Sequence, residues 1–449
     1  MSEPERPFKR LSPLTPVVRS FIVVVAVLVS TWDDILRGDL GPIAWLLVGL
    51  LVAGGVYGTA SWLRTKYWIE SDELRVDTGV VSRQSRRIRV DRLQGIDISQ
   101  PFVARLFGLA ELKMDVAGGG AREGSLAFLP LREAQDLRAT LLQRRDEVRS
   151  GVAGGSADGV DQTAGASPAP ERHVATLDLG TLVVSLLLSA ESFAFLIAAL
   201  FFAALFAVVG NLGGVAVVPV LGGFALTQFR RLSAYYGFTV SETPAGLQIR
   251  RGLFERDATT ITLARVQGVV IGEPVLWRRF GWAKLDVALA GYASSSDSDG
   301  KPSSSTVMPV APRPLVIALA RRLLAEAGSP DPDDVLLTPP PERSRWVAPV
   351  RRRFMSAGGG DGLVVSREGL VNRRTHVVPH ARVQSLQLHQ GPWQRRLGLA
   401  DLQVDSPPGP VKVRVRHRDA GEARALLERE NEVARRARAT RSPGAGLTG

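Results

Sequence analysis

The fold is decided by a short block, Asp91-Arg92-Leu93-Gln94-Gly95-Ile96, which occurs three times in the chain. It recurs as Ala264-Arg265-Val266-Gln267-Gly268-Val269 and as Ala381-Arg382-Val383-Gln384-Ser385-Leu386. About ten residues after each copy comes a second shared block: residues 101–110 (PFVARLFGLA), 274–283 (PVLWRRFGWA) and 392–400 (PWQRRLGLA). Two matched blocks at nearly fixed spacing, in three copies, indicate an internal repeat.

Within each repeat the hydrophobic pattern is that of short strands closed by one helix. Gly95-Ile96-Asp97-Ile98-Ser99 has period two, as a half-buried strand does. Residues 131–145 instead place apolar side chains at helical spacing, and residues 314–327 and 420–437 do so at the ends of the second and third copies. Each copy is therefore predicted to form about six or seven strands and a C-terminal helix.

Two regions between and before the repeats have the composition of membrane segments. Residues 40–63 contain no charged side chain and are long enough to cross ~30 Å of hydrocarbon. The preceding run, 17–32, spans only if Arg19 extends toward the headgroups. Residues 192–229 are also uncharged and would form two arms joined by a turn at 211–214. Two transmembrane helical hairpins are therefore predicted.

The basic residues predict the orientation of these hairpins. Arg6, Lys9 and Arg10 precede the first hairpin, Arg64 follows it, and Arg230 follows the second. Neither hairpin tip carries an excess of positive charge. By the positive-inside rule, the N-terminus, the repeats and the C-terminus are expected on the cytoplasmic side of a bacterial inner membrane.

The overall composition agrees with a membrane-surface protein. Lys and Arg number 56 against 44 Asp and Glu, which gives a formal charge of +12 and suggests an acidic neighbour. There is no cysteine, so disulfides, thiolate metal sites and cysteine nucleophiles are excluded. Nucleic acid is not an expected partner, because the arginines concentrate beside the membrane segments and no nucleic-acid-reading motif is present.

A membrane hairpin that leads into a strand-rich repeat with these two blocks resembles the bacterial pleckstrin-homology-like proteins, specifically the multi-copy membrane type with bPH2 modules. The resemblance covers roughly residues 15–435. It implies an α+β membrane protein in which each module is a partly open β-barrel or curved sandwich with a C-terminal helix. It implies no defined catalytic activity, and a fold of this class usually serves binding.

The predicted plan alternates hairpins and modules. Its boundaries are 15–63 for hairpin 1, 64–147 for PH-like module 1, 148–172 for a flexible linker, 177–232 for hairpin 2, 233–327 for module 2 with a mobile insert at 294–306, 328–344 for a Pro-rich linker, 345–437 for module 3 and 438–449 for a disordered tail. The third module departs from the pattern, since it has no hairpin, carries Gly358-Gly359-Gly360 early on, and has Ser385 in place of glycine.

Two sets of residues are candidates for binding. The first is a basic strand edge repeated in each module: Arg83, Arg86, Arg87 and Arg89, then Arg250, Arg251 and Arg256, then Arg373 and Arg374. Beside a membrane this edge could face anionic phospholipid, at ~1 kcal/mol per basic residue; the alternative is a solvated face. The second set is the repeat motif itself: Arg92, Gln94 and Gly95, Arg265, Gln267 and Gly268, and Arg382 and Gln384. Arginine here could bind phosphate or carboxylate, but repetition in three copies favours a structural role.

The functional prediction is a non-enzymatic, membrane-anchored binding or scaffolding protein. Its modules would bind anionic phospholipid, a membrane-protein partner, or another copy in a homo-oligomer. The alternative is a subunit of a transport or export system. No catalytic constellation, cofactor motif or metal motif is present in the sequence, so no catalytic residue, cofactor or metal is predicted.

Overall fold

A computed structural model of the chain describes residues 9–10, 12–13, 15, 42–70, 73–78, 84–116, 125–153, 172–209, 214–243, 246–290, 305–325, 332–360, 362–405 and 410–441. These residues form two compact units, Met1–Ser167 with Phe254–Thr260, and Pro168–Leu253 with Ile261–Gly449. The short segment Phe254–Thr260 belongs to module 2 by sequence and to the first unit by structure.

Each repeat folds as six strands with a short helix after the fourth strand and a long helix at the end, which agrees with PH-like repeated modules. In module 1 these are β2 (Lys66–Glu70), β3 (Glu73–Thr78), β4 (Gln84–Arg89), β5 (Leu93–Gln100), α2 (Phe102–Leu106), β6 (Leu109–Val116), β7 (Ser125–Pro130) and α3 (Leu131–Ala153). A two-residue strand, β1 (Lys9–Arg10), and helix α1 (Pro42–Arg64) precede them. Helix α3 continues to Ala153 instead of ending at residue 145, and Gln143 donates a hydrogen bond to Glu147 along this extension.

Module 2 repeats this order after a helical region. That region consists of β8 (Arg172–Thr176), α4 (Leu179–Leu187), α5 (Ala190–Val209) and α6 (Gly214–Tyr235). The module comprises β9 (Thr239–Thr243), β10 (Gly246–Arg251), β11 (Arg256–Ile261), β12 (Val266–Pro274), α7 (Val275–Arg279), β13 (Trp282–Leu289), β14 (Thr306–Pro312) and α8 (Arg313–Ala325). Strand β8 was not predicted, and it adds to the module by pairing with β9.

Module 3 has the same elements and follows two short 3-10 helices, Glu342–Trp346 and Arg351–Phe354. Its elements are β15 (Ser356–Gly359), β16 (Leu363–Glu368), β17 (Asn372–Pro379), β18 (Ser385–His389), α9 (Pro392–Arg396), β19 (Leu399–Asp405), β20 (Val413–Asp419) and α10 (Ala420–Arg441). The glycine-rich run forms strand β15, and a side chain at Gly358 would collide with the carbonyl oxygen of Leu336. Glycine therefore permits a close approach of two backbones here.

The second repeated block is a helix with a left-handed turn. Helices α2, α7 and α9 are each five residues long and are followed by glycines with positive φ: Gly108, Gly281 and Gly398, at +67°, +64° and +61°. A side chain is strained in this conformation, so the glycine of the block follows from backbone geometry.

The strands pair with antiparallel neighbours in several sheets. In the first unit, one sheet has the order β1-β2-β3-β4, and in the other β7, β6, β5 and β11 are neighbours in that order. In the second unit, β10, β9 and β8 are neighbours, a six-stranded sheet has the order β14-β13-β12-β17-β16-β15, and a third sheet has the order β18-β19-β20. Strands of modules 2 and 3 thus share a sheet.

Part of the predicted Pro-rich linker, 328–344, is bound to module 3. Thr338 forms a β-bridge with Ala357. The buried guanidinium of Arg418 donates hydrogen bonds to the backbone oxygens of Thr338 and Pro339 at 2.8 and 3.0 Å. These contacts satisfy a buried cation that is otherwise costly to desolvate.

The membrane segments remain a prediction. Within the described residues, no single helix is both long and apolar enough to cross a membrane; by length and composition alone, Leu179–Leu187 and Ala190–Phe201 together meet that requirement, with a bend of 47° between them. Arm 17–32 of hairpin 1 and the turn at 211–213 lie outside the described residues. So do most of linker 148–172, insert residues 294–304 and tail residues 442–449.

Candidate binding surfaces

A continuous seam joins modules 2 and 3 through strands β12 and β17. Six residue pairs run from Val269 opposite Val377 to Pro274 opposite Asn372. Nearly every position of β12 is buried, as expected for a strand with neighbours on both edges and packing on both faces.

The apolar cores of the two modules also interpenetrate at this seam. Leu363, Val365 and Val377 of module 3 pack in the core that contains Val269 and Ile271 of module 2. On the other face, Val270 of module 2 packs with Val364 and Val378 of module 3. Because neighbouring residues of each strand enter different cores, the seam is stabilised by burial on both faces of the sheet.

A buried carboxylate binds two arginines at the end of the seam. Glu273 is 3% exposed. Its Oε2 accepts from Arg373 Nε at 2.8 Å and its Oε1 from Arg313 Nε at 3.2 Å. Arg313 also contacts Asp333 at 3.0 Å. Arg373, a predicted lipid-binding residue, is thus engaged in an ion pair inside the protein. Glu273 and Arg313 were not among the predicted site residues.

Two of the three repeat-motif arginines, Arg265 and Arg382, bind backbone oxygens. Arg265 donates to the carbonyl oxygen of Ala290 at 2.6 Å. Arg382 donates to the carbonyl oxygen of Ala264, the residue before the motif arginine of module 2. Gln267 is buried and donates to the carbonyl oxygen of Arg265 at 3.3 Å. These hydrogen bonds join parts of the protein to one another, as a structural role requires. Ligand binding by these residues stays a prediction.

The motif glycine of module 2 lies directly against the partner strand. A Cβ at Gly268 would lie 2.7 Å from the carbonyl oxygen of Val377 in β17, a distance that real Cβ atoms essentially never show. Of the other motif residues, Arg92 and Gln384 are exposed, Gly95 is partly buried, and Gln94 lies in β5. The backbone N–H of Gln384 donates to the carbonyl oxygen of Asp405 at 3.0 Å.

The basic edge of module 1 presents charge to its surroundings. Arg86, Arg87 and Arg89 lie on β4 and are exposed. Arg89 forms a two-pronged ion pair with Asp91, with distances of 3.1 and 2.8 Å. Arg83 lies outside the described residues. In the other modules, Arg250, Arg256 and Arg374 are exposed, and Arg251 is partly exposed.

The first unit contains a second seam, between β5 and β11. Three pairs form it: Ile98 opposite Ala258, Ser99 opposite Asp257, and Gln100 opposite Arg256. Ser99 Oγ lies 3.1 Å from Glu255 Oε1, and Arg138 of α3 donates to Thr260 Oγ1 at 2.9 Å. In both seams, the fourth strand of one module pairs with the third strand of the next.

The helices before module 2 have a polar end. Glu191, in the first turn of α5, forms an ion pair with Arg231 of α6. One turn along, Gln228 donates to Ser192 Oγ at 2.8 Å. Farther along the helices, the rings of Phe195 and Phe224 are stacked with centroids 3.7 Å apart. The polar contacts thus lie at one end of the α5–α6 pair, next to the strands of the module.

Burial, charge and hydrogen bonding shift the pKa of His376 and Asp401, both in module 3. Burial, with help from the positive charges of Arg374 and Lys412, lowers the pKa of His376 to about 4. Burial acts to raise the pKa of Asp401, but hydrogen bonds from His417 and Gln394 outweigh it and the pKa is lowered. Among the residues that the structure describes, no group of three or more His, Asp or Glu side chains is arranged to hold a metal ion.

The strands, seams and repeated blocks define a class of protein built from tandem PH-like modules. The family model of the bacterial PH domain (bPH_2) matches residues 19–145, 182–327 and 346–433, which is most of the chain, so the chain belongs to this family. A curated relative is the UPF0699 transmembrane protein YdbT of Bacillus subtilis (strain 168), 24% identical over 259 residues, or 53% of this chain and 52% of that protein. The chain therefore spans about half the length of the curated relative that it matches. No solved structure gives a significant match.

Proposed function

We propose that this protein is a non-enzymatic, membrane-anchored binding protein that holds its PH-like modules at the cytoplasmic face of a bacterial inner membrane. Its two hairpins, predicted at 15–63 and 177–232, would be the anchors. The observation that carries the proposal is the large number of exposed apolar side chains on α1 and α5. Trp45 and Leu46 are 63% and 68% exposed, and Leu200 and Phe201 are 63% and 64% exposed. Apolar surface of this kind needs a lipid or protein cover.

The polar end of α5 and α6 supports an interfacial position for that end. A charged pair such as Glu191 and Arg231 is favoured where headgroups and water are available. The exposed apolar residues of α5, which include Phe193, Ile197 and Phe201, begin at this end and continue along the helix. A membrane that covers them would hold β9, which follows α6 closely, near its surface. The relative's printed name, a transmembrane protein, points in the same direction.

The exposed arginines give these modules a chemistry for anionic phospholipid. Arg86, Arg87 and Arg89 are exposed on a single short strand, β4. A tethered module has a high effective concentration at the surface, so a weak attraction per residue is sufficient. Arg373 is excluded from this proposal, because its side chain is only 31% exposed and donates to a buried carboxylate, whereas Arg89 remains 57% exposed beside Asp91.

The test is alkaline extraction of membranes that contain the full chain, followed by purification of the intact protein with its surrounding lipid. An integral anchor predicts that the protein stays in the membrane pellet at high pH. Mass spectrometry of the purified particles then identifies the bound components. Enriched anionic lipid, a stoichiometric membrane protein or the chain itself would each name a partner. Release of the protein by alkali would contradict the anchor.

A further inference from the structure

Both seams between modules obey one register rule. In each seam, the residue six positions after the motif arginine of one module pairs with the residue seven positions before the motif arginine of the next module. Thus Ile98 lies opposite Ala258, and Ile271 lies opposite Thr375. One position further along, Ser99 lies opposite Asp257 and Gly272 lies opposite Arg374. The repeat therefore encodes a fixed way of joining a fourth strand to the following third strand.

One strand of each kind is left over at the ends of the series. Within the described residues, the third strand of module 1, β4, is the last strand of its sheet, and the fourth strand of module 3, β18, is the last strand of its own. Four consecutive residues of β4, from Gln84 to Arg87, are exposed, and the residues of β18 alternate between exposed and partly buried. By contrast, β12 is buried at almost every position. The free edge of such an outermost strand offers backbone N–H and C=O groups for pairing.

The end of β18 is arranged like the corresponding end of β5, which is already in a seam. Gln100 donates to the carbonyl oxygen of Leu109, and Gln390, at the same position of module 3, donates to the carbonyl oxygen of Leu399. The two side chains are thus held in the same way, and Gln100 lies opposite Arg256. Module 3 presents the geometry of a seam with no third strand beside it in the described chain.

We infer that β18 of one copy pairs with β4 of a second copy, antiparallel and in the register of the two existing seams. That register places Leu388 opposite Ser85 and His389 opposite Gln84. The joined surfaces are different, so the contact is head-to-tail and builds a ring or an open row of copies. The inference deepens the proposed binding function, because it names the chain itself as a partner and gives the contact surface.

The arginines of β4 do not oppose this pairing. Charged residues often protect strand edges from association. However, β17 carries Arg373 and Arg374 and still pairs with β12 over six residues, and β11 pairs with β5 next to Arg256. The basic residues are therefore compatible with the seam in this repeat.

Ser385 limits the length of the proposed seam. The corresponding Gly268 has no room for a Cβ, which would lie 2.7 Å from the carbonyl oxygen of the partner strand. A serine at this position prevents equally close approach at the start of β18. The proposed seam is accordingly short and lies toward His389, as the three-pair seam between β5 and β11 lies toward Gln100.

Cysteine cross-linking of the full chain in its membrane tests this register. The chain has no cysteine of its own, so introduced thiols are the only ones present. Two differently tagged versions are co-expressed, one with Gln84→Cys and one with His389→Cys, and the membranes are oxidised. Opposed residues of antiparallel strands have Cα atoms about 4.5–5.5 Å apart, within disulfide range. We expect a disulfide-linked species that carries both tags.

The matched control replaces His389→Cys with Ser385→Cys. Ser385 is also exposed on β18, but it lies four residues away, about 13 Å along the strand, so the product should be lost. All three substituted side chains are exposed, which leaves the core intact. Labelling each thiol with maleimide verifies that it is accessible.

Two results would overturn the inference. One is the absence of the two-tag species although both thiols label. The other concerns the double variant that carries both Gln84→Cys and His389→Cys. If its two thiols form a disulfide within one chain, so that it migrates as an oxidised monomer, and no two-tag product forms between copies, the inference is wrong. The outcome is separate from that of the alkaline extraction. If the protein stays in the membrane at high pH but does not cross-link, only the proposed seam is contradicted. If it cross-links but is released by alkali, only the proposed membrane anchor is contradicted.

Discussion

At the scale of single residues, His376 makes the stability of module 3 depend on pH. It is buried in β17, and its Nδ1 accepts a hydrogen bond from the backbone N–H of Lys412 at 3.2 Å, so the ring is neutral with its proton on Nε2. Its pKa is about 4 in the folded protein, against 6.5 for an unperturbed histidine. Protons therefore bind preferentially to the unfolded chain. The stabilising contribution should be complete above pH 6.5 and lost as the pH falls toward 4, by about 3 kcal/mol.

The measurement is thermal or denaturant unfolding of the detergent-purified chain between pH 7 and 4. In His376→Gln, which cannot titrate, the decline over this range should be smaller. His173→Gln, a change at an exposed histidine of β8, serves as the control for the loss of an imidazole elsewhere. An identical pH dependence in the wild type and His376→Gln would contradict the prediction.

Glu273 is the second residue whose substitution has a sharp expected effect. Its buried carboxylate accepts from Arg373 and Arg313, and its removal takes one acceptor from each guanidinium group, although Arg313 keeps its contact with Asp333. The side chains of these arginines are 31% and 38% exposed, so water can solvate them in part. We therefore expect Glu273→Ala to lower the free energy of unfolding by about 1–3 kcal/mol, less than for a fully buried pair.

The effect of Glu273 is separated from a general loss of charge by two comparisons. Glu428, an exposed glutamate on α10, serves as the control, and Glu428→Ala should change stability by less than about 0.5 kcal/mol. A double-mutant cycle with Arg373→Ala should give a positive coupling energy between Glu273 and Arg373. If the two single effects simply add, the ion pair does not stabilise the seam.

At the scale of elements, the repeated blocks predict the modules well but not their seams. The alternation of Gly95 to Ser99 depends on local burial, and β5 is indeed a strand. The left-handed glycines after the short helices were visible only as repeated letters. In the seam of β12 the partner strand leaves one weak trace, since β12 reads Val-Gln-Gly-Val-Val-Ile without alternation, whereas β18 reads Ser-Leu-Gln-Leu-His. Strand β5 alternates although it also pairs across a seam. Continuous apolar sequence is typical of strands buried on both faces, but it does not identify the neighbour.

The same limit applies to the predicted binding residues. A run of arginines predicts a basic edge, but the sequence does not distinguish Arg373, which Glu273 binds, from Arg87, which is exposed. Glu273 and Arg373 are 100 residues apart in the chain. Their proximity depends on the register between β12 and β17, which becomes readable from the repeat only when the two seams of the structure are compared.

The basic edge of β4 carries its own prediction. The triple variant Arg86→Gln, Arg87→Gln and Arg89→Gln removes three exposed positive charges and keeps a polar side chain at each position. At ~1 kcal/mol for each basic residue near an anionic surface, we expect the anionic lipid that co-purifies with the intact protein to fall roughly fivefold per residue at low salt. The measurement is lipid mass spectrometry of particles excised from the membrane.

A matched variant distinguishes this edge from general positive charge. Arg424→Gln, Arg429→Gln and Arg435→Gln change exposed arginines of α10 by the same amount. The lipid composition around this control should equal that of the wild type. An equal loss of anionic lipid in both variants would assign the effect to net charge. No loss of anionic lipid in the β4 variant would mean that the arginines of β4 face solvent and not lipid.

At the scale of the whole molecule, the two hairpins should leave all modules on one side of the membrane. A chain without cysteine allows this topology to be read from single introduced thiols. Thr140→Cys lies on α3 of module 1 and Arg395→Cys on α9 of module 3, and both positions are exposed. If each predicted region crosses the membrane twice, both thiols face the cytoplasm, because an even number of crossings returns the chain to its starting side.

A membrane-impermeant maleimide reports the side directly. Both variants should be labelled in inverted inner-membrane vesicles and protected in intact spheroplasts, and a detergent-treated sample gives the full signal for comparison. If the run at 17–32 fails to span, both modules that follow it still share a side, but the N-terminus lies on the other. A thiol at Lys9→Cys detects that case, since it would then label in spheroplasts while Thr140→Cys does not, and the pairing of Lys9 with Tyr67 in the sheet of module 1 would be contradicted. Opposite labelling of Thr140→Cys and Arg395→Cys would instead show that the second region crosses an odd number of times, and the rows of modules joined through β4 and β18 could not then form on one face of the membrane.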